Sequence, residues 1–167
     1  MNQAKEARES IQPKLSFFCN DYGTLFEIET TNTGSNPVTI LSAGLFCGLG
    51  KKREEIPSEE NNIIEMKGKT LLSGEKIRVE YVILDYLLML GYEEEMELDF
   101  VAIDHMGKEH SLKIPVDLPK LLYLSEYTRE DINQLKQQYW KSISMGKNLE
   151  QRYLEHLQDR QDALQGK

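Results

Sequence analysis

Long apolar runs are missing from this chain of 167 residues. A membrane-spanning helix needs about 20 consecutive, mostly apolar residues. The uncharged stretch 31–50 is interrupted by Thr, Asn, Ser, Gly and Pro, and the apolar run 81–92 is short and contains Asp85. We therefore expect no membrane insertion by this chain.

Cysteine is equally scarce, with only Cys19 and Cys47 present. Two cysteines are too few for the disulfide framework of a small secreted domain. The pattern favours two buried thiols that act as small apolar groups, and it leaves open a single bridge or, least of all, a catalytic thiol. A reactive thiolate needs a base or a cation beside it, and the sequence identifies neither.

Basic charge is also in deficit. The chain has 20 basic and 28 acidic residues, a net charge of −8, and the acidic excess falls within residues 13–119. A protein with no cationic surface has little means of releasing the counterions of a nucleic acid. We therefore expect no nucleic-acid partner.

The first ten residues are polar and charged, without the apolar segment of a signal peptide. This stretch favours a cytoplasmic location. An upstream membrane anchor, missing from the sequence as given, is the alternative that it leaves open.

Alternation of apolar and polar residues predicts a β domain over residues 13–119. The clearest strand is 76–84, where Ile77, Val79 and Tyr81 alternate with charged side chains. No helical pattern between the strands is long enough for a parallel crossover, so the sheets should be antiparallel. The seven predicted strands are 15–19, 24–33, 38–47, 62–66, 76–84, 95–103 and 110–116.

Helical periodicity flanks this domain. Residues 1–12 are interpreted as an N-terminal helical tail, and 120–167 as one long helical extension that is bent or broken near Gly146. Thr128 followed by Asp131 is typical of a helix N-terminus. Residues 85–92 fit either a helical turn between sheets or a continued strand, and 48–55 is interpreted as a solvated loop.

Several turn motifs occur in a suggestive order: Asn32-Thr33-Gly34 before Pro37, then Leu72-Ser73-Gly74-Glu75, then Asp104-His105-Met106-Gly107. With the strands around them, they resemble immunoglobulin-like β-sandwich domains of the kind found behind membrane anchors in uncharacterised bacterial proteins. The resemblance covers 13–118 and implies a sandwich of two antiparallel sheets. The Cys…Trp…Cys core of antibody domains is missing, so the resemblance carries over no site residues.

The best candidate for metal chemistry is one predicted hairpin, which brings together Asp104, His105, Glu109 and His110. Two imidazoles and a carboxylate with a water molecule could hold zinc, but the spacing matches no standard zinc motif. A solvent-exposed hairpin tip explains these residues better, so we predict no metal and no cofactor. The acidic residues of 93–99 lack the spacing of a calcium loop and are interpreted as the outer face of a strand.

Aromatic residues accumulate in the C-terminal segment, and tyrosine and tryptophan often anchor protein interfaces. The partner-binding candidates are Tyr127, Tyr139, Trp140 and Tyr153, with Tyr123 nearby. Packing of the helix onto the β domain is the alternative interpretation. No nucleophile elbow, P-loop or dinucleotide fingerprint is present.

These observations predict a non-catalytic module that binds another protein or itself, and that could form the soluble part of a membrane-tethered protein. One alternative is a structural subunit of a phage or surface assembly. The other is a metal-dependent hydrolase built on the 104–110 hairpin.

Overall fold

The computed structural model describes residues 12–23, 25–48, 53–57 and 66–144, together with 154, 158–159 and 161–166; for 142–144 it describes the backbone alone. The described part is mainly β, and its sheets are antiparallel, as the alternating pattern predicts. The strands are β1 (Leu15–Asp21), β2 (Leu25–Asn32), β3 (Val38–Cys47), β4 (Glu54–Ile56), β5 (Thr70–Leu71), β6 (Lys76–Val82), β7 (Met96–Asp104) and β8 (Glu109–Val116). The helices are α1 (Leu84–Met89), α2 (Leu118–Ser125) and α3 (Arg129–Ser144).

The described residues form two compact units. The first, here called the β unit, contains the described residues up to 82 together with 97–116. The second, called the helical unit, contains the described residues of 83–96 and of 117–167.

The β unit contains two sheets. One has the strand order β1-β2-β6, and the other has the order β4-β3-β7-β8 with β5 paired to β3. In β2 the buried residues alternate strictly with half-buried ones, so one face of the strand carries Phe26 and Ile28 into the core. The rings of Phe17 in β1 and Phe100 in β7 meet edge to face at 5.4 Å, so one strand of each sheet is in contact with the other.

Several predicted boundaries are corrected. Glu54–Ile56 forms β4, so the interpretation of 48–55 as a loop is wrong at its end; Leu45 of β3 pairs with Ile56 and Cys47 with Glu54. The ambiguous segment 85–92 contains α1, a helix whose six residues are all buried. Of the predicted strand 62–66 only Met66 lies within the described residues; it is helical, so the strand prediction is wrong at this residue, and a turn follows at 67–68.

The single long C-terminal helix is also not what the structure shows. α2 ends at Ser125, because the φ of 61° at the next residue, Glu126, is left-handed and cannot continue a right-handed helix. α3 then begins as predicted beside Thr128, whose Oγ1 accepts from the N–H of Asp131 (3.1 Å) while its own N–H donates to the Asp131 carboxylate (2.8 Å). The predicted break at Gly146 and the helical tail 1–12, apart from Gln12, lie outside the described residues.

One buried hydroxyl in β2 leads to a first prediction. Thr30 is fully buried, and its Oγ1 has no hydrogen-bond partner among the described residues. Replacing the hydroxyl with the methyl group of Thr30→Val should raise the free energy of unfolding by about 1 kcal/mol, because the cost of burying an unpaired polar group disappears. Urea denaturation measures the change. Thr31→Val, on the opposite, half-buried face of the strand, is the control.

Candidate functional site

Asp104 closes the hairpin between β7 and β8 and is fully buried. Its Oδ1 accepts from the backbone N–H groups of Met106 (2.8 Å) and Lys108 (3.0 Å), and its Oδ2 contacts Nε2 of His110 at 2.7 Å. A carboxylate only accepts hydrogen bonds, so Nε2 of His110 donates. These bonds fold the turn, and Gly107 completes it with a φ of 79° that favours glycine.

The other predicted metal ligand, His105, faces a different neighbour. Its Nδ1 accepts from the backbone N–H of Thr39 in β3 (3.1 Å), and its side chain does not join the pair of Asp104 and His110. Residues that alternate around a tight turn project in different directions, which sequence spacing alone does not reveal. Within the described part of the chain, no group of three or more histidine, cysteine, aspartate or glutamate side chains could hold a metal ion.

The ionisation of Asp104 fits a role in holding the hairpin turn together. Burial alone would raise its pKa, but the hydrogen bonds from His110 and from the N–H groups of Lys108 and Met106 hold the pKa below its usual range. The carboxylate therefore stays ionised at neutral pH and keeps its donors. The pair of Asp104 and His110 has the carboxylate–imidazole geometry of a catalytic dyad, and its observed contacts serve to order the hairpin.

Neither cysteine resembles a nucleophile. Both thiols are free. Burial, with the nearby charge of Asp21, raises the pKa of Cys19 to about 11. Burial, with the charge of Glu54, raises the pKa of Cys47 to about 12. Both thiols are protonated at neutral pH, the state of inert cysteines.

Three of the acidic residues of 93–99 contact cationic side chains, and the interpretation of this segment as the outer face of a strand is wrong for 93–95, because β7 begins at Met96. In the β unit, Lys113 on β8 contacts Glu97 (3.4 Å) and Asp99 (3.2 Å) on β7. In the helical unit, Glu93 binds Arg129 and also Lys136, the latter at 3.2 Å. Burial opposes ionisation of Glu93, but the bonds from Lys136 and Arg129 hold its pKa below the usual value. Glu93 therefore ties the first two turns of α3 to the segment that follows α1.

The predicted partner-binding residues have different environments. Tyr127 donates its hydroxyl proton to the buried carboxyl group of Asp85 in α1, so it helps to pack the helical unit. Tyr139 is half-buried, with its ring centroid 5.6 Å from that of Trp140. Trp140 itself is 66% exposed. Tyr153 lies outside the described residues.

Other large apolar side chains of the helical unit are also exposed, among them two on α2. On α2, Leu118 and Leu121 are buried, whereas Tyr123 is 84% and Leu124 is 54% exposed. On α3, Ile132 and Leu135 are buried, and Trp140 lies off that stripe. Both helices thus use one face for packing and carry a large apolar side chain on another. The name aromatic surface is used here for three exposed side chains, Tyr123 and Leu124 on α2 and Trp140 on α3.

The structural role of the Asn32 side chain could not be predicted from its place in a turn cluster. Asn32 is fully buried at the end of β2. Its Nδ2 donates to the carbonyl groups of Asn36 (2.8 Å) and Leu71 (2.9 Å), and its Oδ1 accepts from the N–H of Gly34 (2.9 Å). The burial of Asn32 could have been predicted from the alternation of β2, because Asn32 lies on the same face of the strand as the buried residues Ile28 and Thr30.

Two of the three turn motifs that suggest the family resemblance also meet here. The N–H and C=O groups of Asn32 bond to Glu75 O (3.0 Å) and to the N–H of Gly74 (2.8 Å). The hydroxyl of Ser73 donates to the carbonyl of Gly34 at 2.7 Å. The motifs at 32–34 and 72–75 therefore act as one structural junction.

Comparison with known proteins gives little to add to this geometry. No protein-family model matches the sequence, and no curated protein matches it. Among solved structures, the secreted serine protease VesC from Vibrio cholerae is similar with a TM-score of 0.43 and 14% identity, covering 66% of this chain and 24% of VesC. The chain thus spans about a quarter of that protease.

A second similar structure is a protein described as ApaA from Bordetella pertussis. The TM-score is 0.32 and the identity 11%, and the match covers 65% of this chain and 94% of ApaA. Likenesses at these TM-scores carry no argument about fold or activity. No helix in the described part of the chain is both long and apolar enough to cross a membrane.

Proposed function

We propose that this chain is a non-catalytic protein-interaction module: an immunoglobulin-like β-sandwich whose helical unit binds another protein through the aromatic surface. The observation that carries the proposal is the pair of exposed aromatic side chains, Tyr123 at 84% and Trp140 at 66% exposure, on helices that are fixed by packing on their other faces. Large exposed apolar groups on a rigid support are typical of interface anchors.

The strand order supports the sandwich. In constant-type immunoglobulin domains the first, second, fourth and fifth strands share one sheet, and the third, sixth and seventh share the other. If β5 is set aside as an addition to β3, the first, second and fifth of the remaining seven strands share one sheet here, and the third, sixth and seventh share the other. The fourth, β4, differs, because it joins β3 in the second sheet. The edge-to-face contact of Phe17 with Phe100 fits two sheets that pack face to face. Such sandwiches commonly serve as binding domains, which fits the soluble part of a membrane-tethered protein.

The contacts that hold α3 in place support the proposal that it carries a binding site. Its N-terminus is held by the reciprocal bonds of Thr128 and Asp131, and Glu93 contacts both Arg129 and Lys136. A tryptophan presented by an ordered helix loses little conformational entropy when a partner binds, so more of the contact energy appears as affinity.

Site-specific photo-crosslinking tests this proposal. A benzophenone side chain placed at position 140 of the full chain should form one discrete adduct with a second protein in cells of the source organism. The same group at position 134 is the matched control, because Gln134 is also exposed on α3. Equal adduct patterns at 140 and 134, or none at 140, would contradict partner binding at this surface.

A further inference from the structure

Among the described residues, the first strand of the β unit has a paired neighbour in its sheet on one side only, and β8 of the other sheet comes close to it. β1 lies at the end of the sheet β1-β2-β6 and, among the described residues, forms strand pairs with β2 alone. The N–H of Tyr22 bonds to Leu25 O (2.9 Å) and that of Thr33 to Lys14 O (3.0 Å). In this register the even-numbered residues of β1 bond to β2, so the backbone groups of Leu15, Phe17, Cys19 and Asp21 face the open side.

The other edge strands carry features that discourage pairing. β6 has Lys76 and Arg78, β8 contains Pro115, and β4 has only three residues. β1 has no basic side chain and no proline, its one charged residue is Asp21 at its end, and its register with β2 is unbroken. Its outer face instead exposes Phe18 at 62%. An edge of seven residues with these properties is suited to accept another strand.

We propose that β1 pairs antiparallel with β1 of a second copy of this chain, so that the two sheets join into one of six strands with a two-fold axis at Phe18. The register follows from the strand itself, because full overlap of Leu15–Asp21 with its copy centres on Phe18. In this register each odd-numbered residue of β1 lies opposite an odd-numbered residue of the second copy. The backbone N–H and C=O groups that face away from β2 can therefore bond to each other.

The side chains of this pairing are complementary. Phe18 faces Phe18 of the partner subunit in a pair without backbone bonds, where side chains approach most closely, and aromatic pairs stabilise sheets at such positions. Ser16 faces Asn20 of the partner subunit. Lys14 faces Tyr22 of the partner subunit, and Tyr22 is 64% exposed, so its ring can accept a cation–π contact.

The acidic charge of the chain does not prevent the pairing. The carboxylates of Glu27 and Glu29 lie on β2 and are bonded to Asn20, with Arg78 also contacting Glu29. Across the proposed junction, equivalent β2 strands are three strand spacings apart, about 14 Å. That distance exceeds the Debye length of about 8 Å at physiological salt, so the repulsion is largely screened.

Cysteine cross-linking in the full chain tests the register. In Phe18→Cys the new thiols would face each other at a Cα separation of about 4.5 Å, which lies within the range for disulfides. We expect mild oxidation to give a covalent dimer of Phe18→Cys. Ser16→Cys, on the same face, should give far less, because it faces Asn20. The native thiols contribute little, since Cys19 and Cys47 are protonated at neutral pH.

Light scattering on the uncross-linked chain provides the second readout. Wild type at high micromolar concentration should have the mass of two chains, and Phe18→Lys that of one, because two ammonium groups would meet at the axis. The Phe18→Lys variant should still fold, because position 18 is exposed and pairs with Glu29 on β2. Trp140→Ala should remain dimeric, which separates this pairing from partner binding by the helical unit. A monomeric wild type, or equal cross-linking at positions 16 and 18, would overturn the proposal.

Discussion

Replacing Asp104 with alanine should lower the free energy of unfolding by about 3 kcal/mol, because three donors lose their acceptor in a buried place. The N–H groups of Met106 and Lys108 and the Nε2–H of His110 all bond to this one carboxylate. Chemical denaturation measures the loss. Asp99→Ala is the control, since Asp99 contacts the largely exposed Lys113 and such surface pairs contribute about 0–1 kcal/mol.

The same residue gives a pH dependence. The pKa of Asp104 is lowered in the folded state, so its stabilisation is complete above the unfolded-state pKa of about 4 and is lost as the pH falls through the lower folded-state pKa. The stability difference between wild type and Asp104→Asn should therefore shrink on acidification below about pH 4. A difference that stays constant over that range would show that the carboxylate is not held ionised by its donors.

Asn32→Ala should cost a comparable amount, about 3 kcal/mol, because it leaves the carbonyls of Asn36 and Leu71 and the N–H of Gly34 without their partner. The loss should also loosen the junction of the two turn motifs, which hydrogen exchange at Gly34 and Gly74 can detect. Asn36→Ala is the matched control: Asn36 is exposed and contributes its backbone carbonyl to this network. Equal destabilisation by the two substitutions would contradict the assigned role.

Much of the β unit could be predicted from the sequence, because strands with one buried face leave a period of two. Phe26, Ile28 and Thr30 show this in β2, and Val79 and Tyr81 in β6. β4 could not be predicted, because two of its three residues are glutamates. It forms a strand by pairing with Leu45 and Cys47 of β3, and the local sequence pattern does not show that pairing. α1 was ambiguous since a helix buried on every side shows no apolar stripe.

The candidate site was harder to predict, because contacts depend on side-chain direction and on distant chain segments. The turn at 104–108 was visible from its residues, but only the register of β7 with β3 turns His105 toward Thr39 and away from Asp104. Tyr127 was grouped with Trp140 as a partner-binding aromatic residue, yet its hydroxyl bonds to Asp85, 42 residues away in sequence. A hydrogen bond over that separation has no local sequence signature.

The break at Glu126 illustrates the same limit. The residue is neither glycine nor asparagine, so the sequence carries no signal for its left-handed backbone. The structure around it supplies the cause: Ser125 Oγ donates to Leu122 O (2.8 Å) and accepts from the N–H of Tyr127 (3.3 Å), which ends α2. Tyr127 is then fixed by Asp85 before Thr128 starts α3.

The most direct test of the proposed function is the affinity of the full chain for the protein cross-linked at position 140, measured by titration calorimetry with wild type, Trp140→Ala and Gln134→Ala. If the aromatic surface is the binding site, Trp140→Ala should weaken binding by about 30-fold, equivalent to about 2 kcal/mol, and Gln134→Ala should leave it unchanged. Equal affinities of wild type and Trp140→Ala would contradict the assignment of partner binding to this surface.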